Sequence, residues 1–312
     1  MEPDEVLLSV SIITYNQKAY IKKAIDSVLM QEVNFKYEII IGDDCSSDGT
    51  QEILKEYQEK YPDIIELILH PKRYNDIPGR TNNITNIYAC RGKYIALLDG
   101  DDYWISKNKL QTQVDFLEKN QDYTLSFHNA FIHFDDNEAE PFYHNEEFSF
   151  LKEKETLTHE DIAHEWFIQT SSMMFRNHLI KEFPEWFWEV YSADYAIQLL
   201  ISQHGKAKYF DELLSGRRMS NNSFSATNNT TIDQLNKRLQ EWKVYKREFK
   251  AVKSSETFNR RLSIRYYIKA MTLLKLQKPS FIGNLLYSIY LDKRIAMILM
   301  KNVKKKILNQ AG

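Results

Sequence analysis

The stretch 93–104, KYIALLDGDDYW, constrains the fold more than any other part of the sequence. In it a run of apolar, β-favouring residues passes straight into Asp99, Asp101 and Asp102, interrupted only by Gly100. The near-continuous apolar character of 93–98 is that of a strand buried on both faces, as in a parallel sheet. In open α/β sheets ligands gather outside the carboxyl ends of the strands, so the three carboxylates are expected at the mouth of a crevice. Three acids this close repel one another. A divalent cation, Mn²⁺ or Mg²⁺, would relieve that repulsion and could bridge to a phosphate, which makes Asp101 and Asp102 the candidate metal ligands. A solvated acidic turn capping the next helix is the alternative open to any lone acidic triplet.

The same grammar recurs upstream. Residues 7–13 (LLSVSII) read as a buried strand ending at Thr14, Tyr15 and Asn16. Residues 18–30 then place Ile21, Ala24, Ile25, Val28 and Leu29 along one helical face. A second strand, 37–42, runs into Asp43, Asp44, Cys45, Ser46, Ser47 and Asp48, followed by a helix over 50–60. A strand at 64–69, a loop at 71–79 and a helix at 80–90 complete a βαβαβαβ alternation, which predicts a parallel sheet with right-handed crossovers. Beyond Trp104 the pattern predicts a helix over 108–119, an extended segment over 123–134 and an acidic loop at 135–147. It then gives a strand over 167–175, a helix over 193–204 with Ile197, Leu200 and Ile201 inward, and a short strand at 207–210. Residues 220–231 are almost all Asn, Ser and Thr and read as a loop, and from 232 onward the pattern is helical.

Charge divides the chain at the same place. Residues 231–312 carry 19 Lys and Arg against 5 Asp and Glu, whereas the rest carries 22 against 38. This asymmetry predicts a catalytic body over 1–230 and a basic, mostly helical region over 231–312. It argues against a nucleic-acid binder, whose basic face belongs on the folded domain. The basic region, with Trp242, Tyr266, Tyr267, Leu285 and Ile289 among its lysines, suggests peripheral contact with anionic lipid. A helical cover or a homodimer surface are the alternatives. Two cysteines, Cys45 and Cys90, define neither a disulfide framework nor a zinc site, and the first residues lack a signal-peptide pattern. A cytoplasmic location, at most peripheral to the inner face of the cell membrane, is expected.

Several motifs are decoys. Asp44-x-Ser46-x-Asp48-Gly49 opens like a calcium loop but has Lys55 where the bidentate Glu belongs. His159 and His164 flank Glu160 but stand five positions apart, about 140° around a helix, so they cannot share a metal. No G-x-G-x-x-G and no Walker A lysine loop occurs. Asp44 can accept from a base N–H or a ribose hydroxyl and is a candidate nucleobase reader, with a helix N-cap as the alternative. Trp104, Trp186 and Trp188 are candidates for stacking on sugar faces, with a place in the core as the alternative.

The segments SVSIITYN (9–16), EIIIGDDCSSDGT (38–50) and GKYIALLDGDDYW (92–104) resemble, in order and spacing, the successive signatures of family 2 glycosyltransferases of the GT-A fold, of the bacterial polysaccharide type. The resemblance implies a mainly parallel central sheet flanked by helices, here with a C-terminal helical appendage. It also implies a nucleotide-sugar donor, usually UDP-linked, a divalent metal at the DxD motif, and inversion at the anomeric carbon. By position it assigns Thr14, Tyr15, Asn16, Asp43 and Asp44 to the nucleoside pocket, Arg80 to the nucleotide, and Asp99, Asp101 and Asp102 to ribose, metal and diphosphate. Asp194 in SADY (192–195) falls where such enzymes carry their catalytic base. In GRRMS (216–220) many relatives have Tyr-Arg-x-His; here Arg217-Arg218-Met219-Ser220 stands instead, so the resemblance gives Arg218 a contact to the diphosphate and leaves open whether Ser220 takes the place of a histidine metal ligand. The acceptor would be a glycan or lipid-linked saccharide. The rival readings are a nucleotidylyltransferase, whose glycine- and lysine-rich loop is missing, and a non-catalytic nucleotide-sugar or glycan-binding module.

Overall fold

A computed structural model of the protein describes residues 5–74, 79–134, 140–141, 148, 150–219, 231–250 and 252–297. The expected loops at 135–147 and 220–231 fall largely outside these residues, as does Ser220. The chain forms two compact units. One holds the described residues up to Ile162 with Phe167–Phe183 and 193–219. The other holds Ala163–Trp166, Pro184–Ser192 and the described residues from 231.

The first unit is built on β1 (Leu8–Thr14), α1 (Ile21–Leu29), β2 (Tyr37–Asp43), α2 (Thr50–Lys60), β3 (Ile65–Leu69), α3 (Arg80–Ala89) and β4 (Tyr94–Asp99). After these come β5 (Tyr103–Trp104), α4 (Lys109–Lys119), β6 (Tyr123–Phe134), β7 (Glu140–Pro141), α5 (Phe150–Glu153), β8 (Thr156–Leu157), α6 (His159–His164), β9 (Met174–Arg176), α7 (Ala193–Ser202) and β10 (Lys206–Met219). The sheet runs β3-β2-β1-β4-β9-β6-β10-β5, with the first four strands parallel as the alternation predicts. The antiparallel strand β9 joins β4 to β6, which pairs in parallel with β10. Register fixes what meets at the sheet edge. Thr14 lies opposite Asp43, and Ile13 opposite Asp99, so three strand ends deliver their loops to one place.

The strands are held from both sides. Val10, Ile12, Ile39, Ile41, Ala96 and Leu98 pack with Ile21, Ile25 and Val28 of α1, and each large aliphatic side chain so buried contributes roughly 1.5–3 kcal/mol. The other face meets α3 through amides: Asn82 Nδ2 donates to the Gly42 carbonyl (2.8 Å) and Asn86 Nδ2 to the Ile12 carbonyl (2.8 Å). A Cβ on Gly42 would collide with both amides. Gly42→Ala is therefore expected to cost about 1–3 kcal/mol through overpacking, read as a lower denaturant midpoint with an unchanged slope; an unmoved midpoint would refute this packing.

Three expectations need correcting. The strand expected over 167–175 is instead a 3₁₀ turn at Thr170–Ser172 followed by the three-residue β9, because the polar Thr-Ser-Ser run closes a turn through Ser172 Oγ and the Gln169 carbonyl. The strand expected at 207–210 continues through two register shifts to Met219. In α7 it is Leu199, with Ile197 and Ile201, that is buried, while Leu200 is only half-buried.

The second unit is helical: α8 (Ile232–Glu248), α9 (Val252–Lys275) and α10 (Phe281–Leu291). Thr231 starts α8 with a reciprocal cap to Gln234. Trp186, Tyr245 and Phe249 pack edge to face at the centre of this unit, so Trp186 is core and not a sugar platform; Trp188 is exposed. The buried Glu241 gathers the backbone N–H groups of Tyr191 (3.1 Å) and Ser192 (2.6 Å) and the Arg238 guanidinium (2.9 Å).

Candidate active site

Two loops knit together at the ends of β1 and β2. Asn16, with φ 51°, donates its N–H to Ser46 Oγ (2.8 Å) and accepts on its amide oxygen from the Ser47 N–H (2.9 Å). Asp48 accepts from the Thr50 and Lys18 N–H groups (3.0 Å each), so Asp48, and not Asp44, anchors the start of α2. Asp43 is spent locally as well, accepting from the Ser46 N–H (2.8 Å), the Ser46 hydroxyl and Gln51 Nε2 (2.5 Å). Asn16 and Asp43 thus tie the two loops together at the sheet edge.

Asp44 turns the other way. Its carboxylate lies 3.9 Å from Arg73 Nε, and the Arg73 guanidinium lies 3.9 Å over the Tyr15 ring. Tyr15, Asp44 and Arg73 therefore form one cluster of aromatic face, carboxylate and guanidinium. Sequence reasoning missed Arg73, which belongs to no motif. Arg80 is fully buried at the first position of α3.

The acidic loop after β4 is pressed against the end of β1. Thr14 Oγ1 donates to Gln17 Oε1 (2.8 Å), and a Cβ on Gly100 would displace the Gln17 amide and crowd Thr14, so the loop passes closely over both. Trp104, by contrast, turns into the core, with its indole N–H on the Ser171 carbonyl (2.8 Å) and Lys109 Nζ 3.8 Å above its ring. β5 pairs with Ser215 and Gly216 of β10, and the Arg218 N–H donates to Asp102 Oδ1 (3.0 Å). This pairing brings Arg217 and Arg218 beside the acids. The Arg218 guanidinium lies 3.5 Å over Tyr20, and Arg217 Nη1 donates to Gln169 Oε1 (2.6 Å). Arg217 and Gln169 are further residues that the motif reading did not single out; the paired arginines were the signal for the first, and Gln169 had none.

Burial pushes the Asp99 carboxyl up to about 7, with the Asp101 and Asp194 charges raising it and Arg217 opposing. Asp101 is raised by burial against the pull of Arg218 and Arg217, and Asp102 is raised well above the carboxylate range by burial and by Asp101 and Asp99. Asp194, in the first turn of α7, is thus near enough to act on Asp99. Among the described residues no group of three or more His, Cys, Asp or Glu side chains encloses a metal. The donor set still fits Mg²⁺ or Mn²⁺ held by one or two carboxylates and completed by phosphate oxygens, because Asp101 and Asp102 are hard ligands whose mutual repulsion a cation would cancel.

This arrangement carries a stability signature. A carboxyl whose pKa is raised by folding stabilises the fold while protonated, and that contribution is lost as pH rises through its folded value. The metal-free protein should therefore lose melting temperature as pH rises through about 7, and Mn²⁺ should restore more of it at pH 8 than at pH 5.5. Equal metal-induced shifts at the two pH values would contradict the clustered-acid description.

The family model of glycosyl transferase family 2 matches residues 9–183, more than half of the chain. The chain belongs to glycosyl transferase family 2. An uncharacterised protein of Mycobacterium tuberculosis is 35% identical over 169 residues, 54% of this chain and 46% of that protein. A Bacillus subtilis protein, TuaG, whose name gives it as a candidate teichuronic acid biosynthesis glycosyltransferase, is 37% identical over 111 residues, 36% of this chain and 42% of that protein. The chain spans less than half the length of these relatives. Among solved structures, Staphylococcus aureus TarS 1–349 in complex with UDP-GlcNAc superposes with a TM-score of 0.58 at 15% identity, covering 95% of this chain and 92% of that one. The mannosyltransferase PcManGT of Pyrobaculum calidifontis, in complex with GDP-Man and Mn²⁺, gives 0.59 at 15% identity, covering 97% and 81%. The expected GT-A fold, a central sheet flanked by helices with a helical C-terminal part, is thereby established.

Proposed function

We propose that this family member is an inverting glycosyltransferase that moves a sugar from a nucleoside diphosphate donor, UDP-linked, to a hydroxyl of a glycan or lipid-linked saccharide during assembly of a surface polysaccharide. One observation carries the reading: the ends of β1, β2 and β4 are in register, so that Tyr15, Asp44 and the Asp99–Asp102 acids share one sheet edge, with Asp194 in electrostatic reach of Asp99. The name of one relative, which points to teichuronic acid biosynthesis, and the UDP-GlcNAc and GDP-Man complexes of two structural neighbours support the chemical class.

On this reading the base stacks in the cluster of Tyr15 and Arg73, and Asp44 accepts from a base N–H. Asp194 takes the proton as the acceptor oxygen attacks the anomeric carbon from the face opposite the leaving group. The bond from that carbon to the β-phosphate oxygen breaks, and its electron pair departs with the diphosphate. Arg217 and Arg218 offset the charge developing there. A divalent ion held by Asp101 and Asp102 would supply Lewis-acid stabilisation of the same oxygens.

A panel of nucleotide sugars assayed for metal-dependent turnover, with the product anomer read by NMR, tests the proposal. A retained anomer refutes inversion. Tight donor binding with no turnover on any acceptor would favour the binding-module reading. Arg73→Ala should weaken UDP binding about fivefold, the loss of about 1 kcal/mol expected of a half-exposed guanidinium on a ring, with kcat little changed. Unaltered UDP affinity would remove Arg73 from the pocket.

A further inference from the structure

Helix α10 has an outer face that water alone does not suit. Its eleven residues, FIGNLLYSIYL, contain no charged side chain. Its inner face is fixed by a reciprocal pair across the hairpin with α9: Ser288 Oγ donates to the Ser263 carbonyl (2.7 Å), and Ser263 Oγ donates to the Ser288 carbonyl (2.8 Å). With that face committed, Ile282, Leu286 and Tyr290, spaced by four, turn outward at 53%, 62% and 79% exposure. Tyr287 joins them, stacked on Tyr290 at 5.9 Å. A solvent-facing helix ordinarily carries charge on this side.

Charge selects what covers the stripe. Residues 266–312 contain nine Lys and Arg against one acid, Asp292, which is paired with Arg294 at 2.8 Å. Exposed Lys275 and Lys278 precede α10 and exposed Lys293 follows it. Two copies meeting through α10 would bring these like charges together, whereas anionic headgroups would neutralise them. Tyrosines at the border of an apolar stripe suit the boundary between headgroup and acyl chain. Eleven residues cannot span a bilayer, and among the described residues no helix is long and apolar enough to cross a membrane.

We infer that α10 lies in the plane of an anionic membrane surface, with Ile282, Leu286, Tyr287 and Tyr290 inserted and Lys275, Lys278 and Lys293 on the headgroups. This docking does not depend on the transferase reading. The full chain should sediment with vesicles of phosphatidylcholine and phosphatidylglycerol at low salt, and not with phosphatidylcholine alone. Leu286→Glu combined with Tyr290→Glu should lower the partition coefficient about tenfold or more while leaving the melting temperature unchanged, since both side chains are exposed. Lys275→Glu with Lys278→Glu should weaken sedimentation and flatten its salt dependence. The inference is overturned if the parent stays in the supernatant, or if the double Glu variant sediments like the parent. It is overturned too if light scattering finds a dimer that the double Glu variant dissolves, which would give the face to a second copy.

Discussion

Asp194→Asn should bind UDP as tightly as the parent, melt within about 1 kcal/mol of it, and lose roughly 10²- to 10⁴-fold in kcat. The small stability change follows from position. Asp194 is the second residue of α7, where an amide replaces the carboxylate without a change of shape and a favourable charge at the helix N-terminus is lost. The large kinetic change follows from its neighbourhood, because its charge reaches Asp99 at the end of β4. A carboxylate kept near that edge can accept the acceptor's proton as the new bond forms, and an amide cannot. Asp161 and Glu189 are held by basic partners. Asp161 binds Lys154 Nζ (2.7 and 2.6 Å) and the Thr158 N–H (2.7 Å), and Glu189 binds Arg247 (2.7 Å). Sugar transfer by Asp194→Asn within a few-fold of the parent would sink the assignment and send the search to Glu160.

The half of the site made by β1, β2 and β4 was legible because its signals are local. Each parallel strand is an apolar run that stops at polar residues, and once the strands are parallel their ends must converge. The division of labour among neighbouring acids was not legible. Asp43 and Asp44 are adjacent and chemically alike, yet Ser46 and Gln51 consume the first while the second faces Arg73. That difference depends on the loop's path, including Cys45 at φ 64° and Gly49 at φ 98°. The basic half was legible only through the resemblance at Arg218, and the strand that carries it was not. Asp211 and Glu212 interrupt the apolar alternation of β10 where the register against β6 shifts, so the strand reads as ending before it reaches Arg217 and Arg218. Lys109 is the extreme case. Buried over Trp104, with burial holding its ammonium well below the usual range, it carries no mark in the sequence that sets it apart from the surface lysines nearby.

Asp101→Asn should abolish metal-dependent turnover of the donor and at the same time raise the melting temperature of the metal-free protein at pH 8. The two effects have one cause. Burial raises the Asp101 carboxyl despite Arg217 and Arg218, and the Asp101 charge in turn raises Asp99 and Asp102. Ionising the group is therefore unfavourable to the fold, and removing its charge relieves a repulsion that the fold sustains only for binding. Asp102→Asn should lose turnover too, but with little change in fold, because an amide oxygen can still accept the Arg218 N–H that Asp102 Oδ1 accepts at 3.0 Å. The readout that does not depend on activity is the Mn²⁺-induced melting shift at pH 8, which should vanish in Asp101→Asn and shrink in Asp102→Asn. A purely structural acidic turn makes the opposite forecast: destabilised variants, turnover indifferent to EDTA, and no metal-induced shift in the parent. Full turnover by both variants would remove these carboxylates from the chemistry, whatever the fold of the chain.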